Sequence, residues 1–175
     1  MEMVNLKISD LFKALIAGDT AKVLGLLEEQ PHLANTENED GLTPLAYAGH
    51  LGFTEIVQAL LEYGVEVNAV THSQISYIPS NTALHATIAG ERSLEIIRLL
   101  LARGADPRIV DSNGHTPLHS AAYHADSLEM IQLLLEHGAE WDKLTPEGET
   151  ALQIADGQGN QRVAEMLRQI ISKQQ

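Results

Sequence analysis

Apolar residues along this chain fall into paired blocks, each long enough for two or three helical turns and separated from its partner by a few polar residues. Leu118, Ala121 and Ala122 lie at helical spacing after Pro117, and Glu129-Met130-Ile131-Gln132-Leu133-Leu134-Leu135 follows with a wide apolar stripe. The pattern predicts helix, turn, helix, with His137-Gly138 as the stop. Glycine takes the left-handed conformation just past a helix end, and a histidine there favours the negative end of the dipole. Equivalent pairs are expected at about Pro44 to Leu51 with Thr54 to Tyr63, stopped by Gly64, and across Thr82 to Asp106, stopped by Gly104. Another is expected at about Ala151 to Asp156 with Gln161 to Ile171, before a tail, Ser172-Lys173-Gln174-Gln175, that should fray. The first pair has Ser9 or Asp10 capping Leu11 to Ala17, a Gly18-Asp19 turn, and Val23 to Glu29 ended by Pro31. No such pair can bury its own apolar faces, so the pairs must stack on one another.

The stretch that opens each pair recurs. Asp40-Gly41-Leu42-Thr43-Pro44-Leu45, Asn81-Thr82-Ala83-Leu84-His85-Ala86, Asn113-Gly114-His115-Thr116-Pro117-Leu118-His119 and Gly148-Glu149-Thr150-Ala151-Leu152 share one frame. From Thr82 to Thr116 and from Thr116 to Thr150 is 34 residues each, and from Thr43 to Thr82 is 39. Pro117 suits a first helical turn, where its missing N–H would have no partner anyway. This spacing and the Thr-Pro-Leu-His signature resemble the ankyrin repeat family over roughly residues 9–171. The resemblance implies an all-α solenoid of stacked helix-turn-helix units with β-turn or hairpin fingers. It divides the chain into an N-terminal cap repeat (9–36), three repeats (37–69, 70–108, 109–142) and a C-terminal cap repeat (143–171). It also implies that His85 and His119, on the fourth letter of the signature, make structural hydrogen bonds between neighbouring repeats.

Two departures stand out. From Gly64 to Thr82 is 18 residues, against 12 from Gly104 to Thr116 and from Gly138 to Thr150. Six extra residues therefore sit in one finger, within Val70 to Ser80. A long connection costs little extra closure entropy, but this one carries Ile75, Tyr77 and Ile78, which either fold back over neighbouring repeats or meet a partner. A second departure is one extra residue between the paired helices, around Gly90-Glu91-Arg92-Ser93 and His124-Ala125-Asp126-Ser127. It reads as a benign turn variant, with Ser93 and Ser127 as N-caps of the second helices and Glu95 and Glu129 beside the positive helix ends.

Composition sharpens this picture. The chain is 44% hydrophobic but only 4% aromatic, so aliphatic and small side chains must do the packing, which suits closely stacked helices. A formal net charge of −13 repels nucleic acid and anionic lipid and gives no basic run to neutralise phosphate. The charge reads either as a solubilising surface or as a field that steers a basic partner onto the chain. With no cysteine there is no disulfide scaffold, thiol catalysis or cysteine zinc site. No signal-like apolar core occurs in the first ten residues and no apolar run approaches a membrane span. A cytoplasmic monomer is the expectation.

Catalytic signatures are weak. His115 and His119 are four apart, a spacing that places two ligands on one helical face, but His115 lies in the turn and no His-Glu-x-x-His follows. Gly157-Gln158-Gly159-Asn160 has no strand before it and reads as an inter-helix turn rather than a phosphate loop. Trp141 is expected to be half-buried at a repeat junction. No cofactor, metal or catalytic residue is assigned. Repeat proteins of this kind bind through fingers and inner helices on the concave side. Offsets from each repeat's threonine give a candidate strip of Glu39, Asp40, Leu42, His50, Leu51, Tyr77, Ile78, Asn81, Asn113, His115, Tyr123, His124, Glu147 and Glu149. The expected function is non-catalytic recognition of another protein. The alternatives are a histidine- or metal-dependent enzyme and a structural or oligomerisation spacer.

Overall fold

The computed structural model describes residues 2–91 and 93–174. Arg92 of the second inter-helix turn and Gln175 of the tail lie outside the described residues. Among those described, the chain forms ten α-helices and one short 3-10 helix, without β-strands. It divides into two compact units, one up to Ala105 and one from Asp106.

The first unit holds three helix pairs: α1 (Glu2–Ala17) with α2 (Thr20–Glu29), α3 (Pro44–Leu51) with α4 (Thr54–Glu62), and α5 (Ala83–Gly90) with α6 (Leu94–Ala102). The 3-10 helix Pro31–Asn35 follows α2. Its core is aliphatic, as the low aromatic content requires: Leu15, Leu27, Leu45, Leu60, Ile88 and Leu100 are fully buried. First helices of successive pairs approach closely where their side chains are small. A Cβ added at Gly49 of α3 would lie 2.3 Å from the Thr87 hydroxyl of α5, so a larger residue there would have to displace the Thr87 side chain. Neighbouring pairs are also tied by polar bonds. The Asn35 side chain accepts from the Glu66 amide at 2.8 Å, and Asn68 Nδ2 donates to the Gly104 carbonyl at 2.9 Å.

The second unit holds α7 (Pro117–His124) with α8 (Leu128–Glu136) and α9 (Ala151–Gln158) with α10 (Gln161–Gln174). Leu118, Ala121, Ile131, Leu134, Val163 and Leu167 fill its core. Asn160 Nδ2 donates to the Ala122 carbonyl at 2.8 Å and Asp126 accepts from the Val163 amide at 3.0 Å, so each inter-helix turn supplies one side chain that binds the backbone of the other pair's helix. Trp141 is half-buried.

The expected caps form. Ser93 accepts from the Ile96 amide, Ser127 from the Met130 amide, and the His137 ring donates to the Leu133 carbonyl at 2.8 Å in the last turn of α8. Three expectations are corrected. Helix α1 begins at Glu2 rather than Leu11, because apolar periodicity runs back through the residues read as caps; Ser9 and Asp10 are interior. Helix α10 runs to Gln174, past the expected end at Ile171. The two longer inter-helix turns are not equivalent. Glu91 takes the left-handed conformation (φ 53°), the only described non-glycine residue to do so, whereas Ala125 stays extended (φ −139°). A side chain in the left-handed region costs about 1 kcal/mol, so the turn at Glu91 is a strained solution.

Candidate functional site

Every finger is closed by one polar side chain that accepts backbone N–H groups of its own turn. Asp111, 8% exposed, accepts from the amides of Asn113 and His115, both at 2.9 Å, while its own amide donates to the His115 carbonyl. Asn38 does the same for Asp40 and Leu42, and the Thr145 hydroxyl accepts from the Glu149 amide. In the enlarged finger the fully buried Thr71 plays this part: its amide donates to the Asn81 carbonyl and its hydroxyl accepts from the Asn81 amide, both at 2.9 Å. The closure that spans Asp111 to His115 elsewhere spans Thr71 to Asn81 here. The six extra residues therefore lie between those two positions.

In the first unit the insertion folds onto the preceding finger. The amides of His72 and Gln74 donate to the carbonyls of Gly41 and Asp40 at 2.9 and 2.8 Å, and Glu37 receives both the His72 amide and its ring nitrogen. Ile75 and Ile78 are half-covered, but Tyr77 projects, 83% exposed. Glu39, Asp40 and His50 are exposed and Leu42 and Leu51 half-buried. The His50 ring lies against the Ala86 carbonyl at 3.3 Å, so part of its role is to join two repeats. Asn81 corrects the sequence reading. It is 8% exposed, covered because the insertion closes over it, and its side chain is not on the surface.

In the second unit Asn113, Tyr123, His124, Glu147 and Glu149 are exposed and His115 half-buried. Tyr123 and His124 stack edge to face, with ring centroids 5.1 Å apart. His115 Nε2 is 3.8 Å from Glu147 Oε2, linking adjacent fingers. The Glu147 carboxyl is held below the usual value, first by its own backbone N–H, then by the Thr145 hydroxyl and by His115. Sequence offsets missed two neighbours on these fingers, Val110 (40% exposed) and Leu144 (55% exposed). The signal was there: each stands immediately before its finger's closing residue, as does Val70 (39% exposed) before Thr71.

The metal reading of the His115–His119 pair meets a geometric objection. His119 is 2% exposed. Its Nδ1 accepts from the Thr116 amide and its Nε2–H donates to the Lys143 carbonyl at 3.0 Å, which occupies both ring nitrogens. Among the described residues no three histidine, aspartate or glutamate side chains gather as metal ligands would. No helix among them is long and apolar enough to cross a membrane.

The bond from His119 to Lys143 is the repeat-to-repeat link that the ankyrin signature implies, and the match to known families agrees. Models described as ankyrin repeats match residues 84–174, in three copies, and residues 40–72. This chain belongs to the ankyrin repeat family. Among similar ankyrin repeat proteins, the rat Ankyrin repeat and SAM domain-containing protein 6 is 35% identical over 107 residues, 61% of this chain and 11% of that protein. Human NAD-capped RNA hydrolase NUDT12 is 46% identical over 57 residues, 33% of this chain and 12% of that protein. The Arabidopsis thaliana serine/threonine-protein kinase VIK is 38% identical over 86 residues, 49% of this chain and 18% of that protein. The chain thus spans under a fifth of the length of these three relatives.

Proposed function

We propose that this ankyrin repeat chain, built as five repeats, is a non-catalytic module that recognises another protein through its fingers and the ends of its first helices. One observation carries the reading. In a chain with few aromatics, the large exposed apolar side chains of the fingers and of α7 are Tyr77, Tyr123, Leu144, Val110 and Val70. Exposed tyrosines beside polar and charged neighbours are the composition of recognition surfaces, where a few anchors supply most of the binding energy. The acidic residues beside them, Glu39, Asp40, Glu147 and Glu149, and the net charge of −13 favour a basic partner. We take the working form to be a cytoplasmic monomer.

Affinity capture with mass spectrometry identifies the partner. A variant combining Tyr77→Ala, Tyr123→Ala and His124→Ala is then expected to lose that partner while unfolding at the wild-type temperature. Undiminished capture by the folded triple variant would refute the surface. Association should also slow steeply with salt if the partner is basic; a flat salt dependence would remove that element.

A further inference from the structure

The His119 ring is held by hydrogen bonds that define its protonation state. Its Nδ1 is an acceptor for the Thr116 amide at 3.1 Å and lies 2.9 Å from the Thr116 hydroxyl, so the ring proton sits on Nε2 and is given to the Lys143 carbonyl at 3.0 Å. The neutral ring thereby does two things. It completes the capping box at the start of α7, and it fastens the segment that leads into the last finger. A second proton would have to go on Nδ1. It would face the Thr116 N–H, leave that buried donor without its acceptor, and place a charge at a site 2% exposed.

The last repeat holds the control. Thr150 and Gln153 form the same capping box at the start of α9, with the Thr150 amide donating to Gln153 Oε1 at 2.8 Å. Glutamine does the capping with a side chain that does not titrate. The capping box therefore does not need a histidine, and what histidine adds at position 119 is the Nε2–H bond to Lys143 and a response to protons.

We infer that His119 is a proton-released latch between the third finger, which carries Asn113 and His115, and the fourth, which carries Glu147 and Glu149. This rests on the binding surface proposed above and assigns its regulation: proton uptake loosens the two fingers from each other and so weakens partner binding. The groups that act on the ring are identifiable. Burial dominates and holds His119 below its ordinary value; the Lys143 carbonyl and Asp111 favour the proton, and the charges of His115 and Lys143 oppose it. Of the packed helices, α8 offers the exposed Glu129 and Glu136, and α9 offers the exposed Asp156, paired with Arg168. Tyr123 and His124 are exposed at the far end of α7. The ordinary value is 6.5 and the folded value lies below it. The latch's stabilisation is therefore complete above about pH 6.5 and is withdrawn as the pH falls through the folded value.

The test needs no partner, so its failure is distinct from failure of the binding surface. Nitrogen-detected NMR of the full chain should show His119 as the Nε2–H tautomer at pH 7.5. On acidification, the amide signals of Thr116, Leu144 and Thr145 should shift with the same midpoint as the His119 ring. Thermal unfolding of wild type and His119→Gln is the second arm: between pH 7.5 and 5 the wild-type Tm should fall by about 2–4 °C more than the variant's. An Nδ1–H tautomer, finger amides that ignore the His119 titration, or parallel Tm curves would each overturn the latch. Should the variant not fold, the wild-type NMR midpoints alone decide.

Discussion

The first and the last finger are built alike and live in different surroundings. Each closes on a polar side chain, Asn38 or Thr145, and each carries a glycine in the left-handed conformation, Gly41 at φ 73° and Gly148 at φ 85°. A Cβ at Gly41 would stand 2.0 Å from the His72 carbonyl oxygen, because the insertion lies directly over it; a Cβ at Gly148 would meet nothing. The same local chemistry is a packing site in one finger and a free turn in the other. An insertion thus does more than extend a loop: it converts the neighbouring finger from an exposed tip into a platform that holds Tyr77 outwards.

Substitution of the two glycines exposes this difference most strongly. Gly41→Ala is expected to cost about 3 kcal/mol or more, since a backbone clash adds to the left-handed penalty, while Gly148→Ala should cost only about 1 kcal/mol. Equal losses in denaturant unfolding would mean that the insertion does not rest on the first finger. The closing residues give the next effect. Asp111→Ala strands two turn amides and should cost about 2 kcal/mol, against about 1 kcal/mol for Thr71→Ala, which strands one. A larger loss at Thr71 than at Asp111 would show that the long finger depends more heavily on its base. Smallest is a gain: Glu91→Gly should stabilise by up to about 1 kcal/mol, by relieving the left-handed side chain. An unchanged Tm would mean that the Glu91 side chain makes compensating interactions.

Much of this was legible in the chain. The threonine frame located the first helices, Ser93 and Ser127 were recognisable caps, and comparing glycine-to-threonine intervals counted the insertion correctly before its ends were known. These features are local, so nearest-neighbour chemistry suffices to read them. What escaped depends on longer paths. Ser9 and Asp10 have cap chemistry yet sit inside α1, because an apolar stripe that continues through them outweighs a local hydrogen bond. Asn81 occupies the same offset as Leu42, His115 and Glu149, yet it is buried, since the path of residues 72–80 over it is not written in its own neighbours. Val110 and Leu144 are not legible in the same way, because a lone aliphatic before a turn looks like core in the sequence and only the fold exposes it.

Hydrogen exchange on the complex with the captured partner tests the binding surface most directly. The account predicts new protection at residues 39–42, 72–81, 113–115 and 145–149 and at the ends of α3 and α7, with α4, α6 and α8 unchanged. Protection concentrated on α4, α6 and α8, with the fingers exchanging as in the free protein, would contradict it.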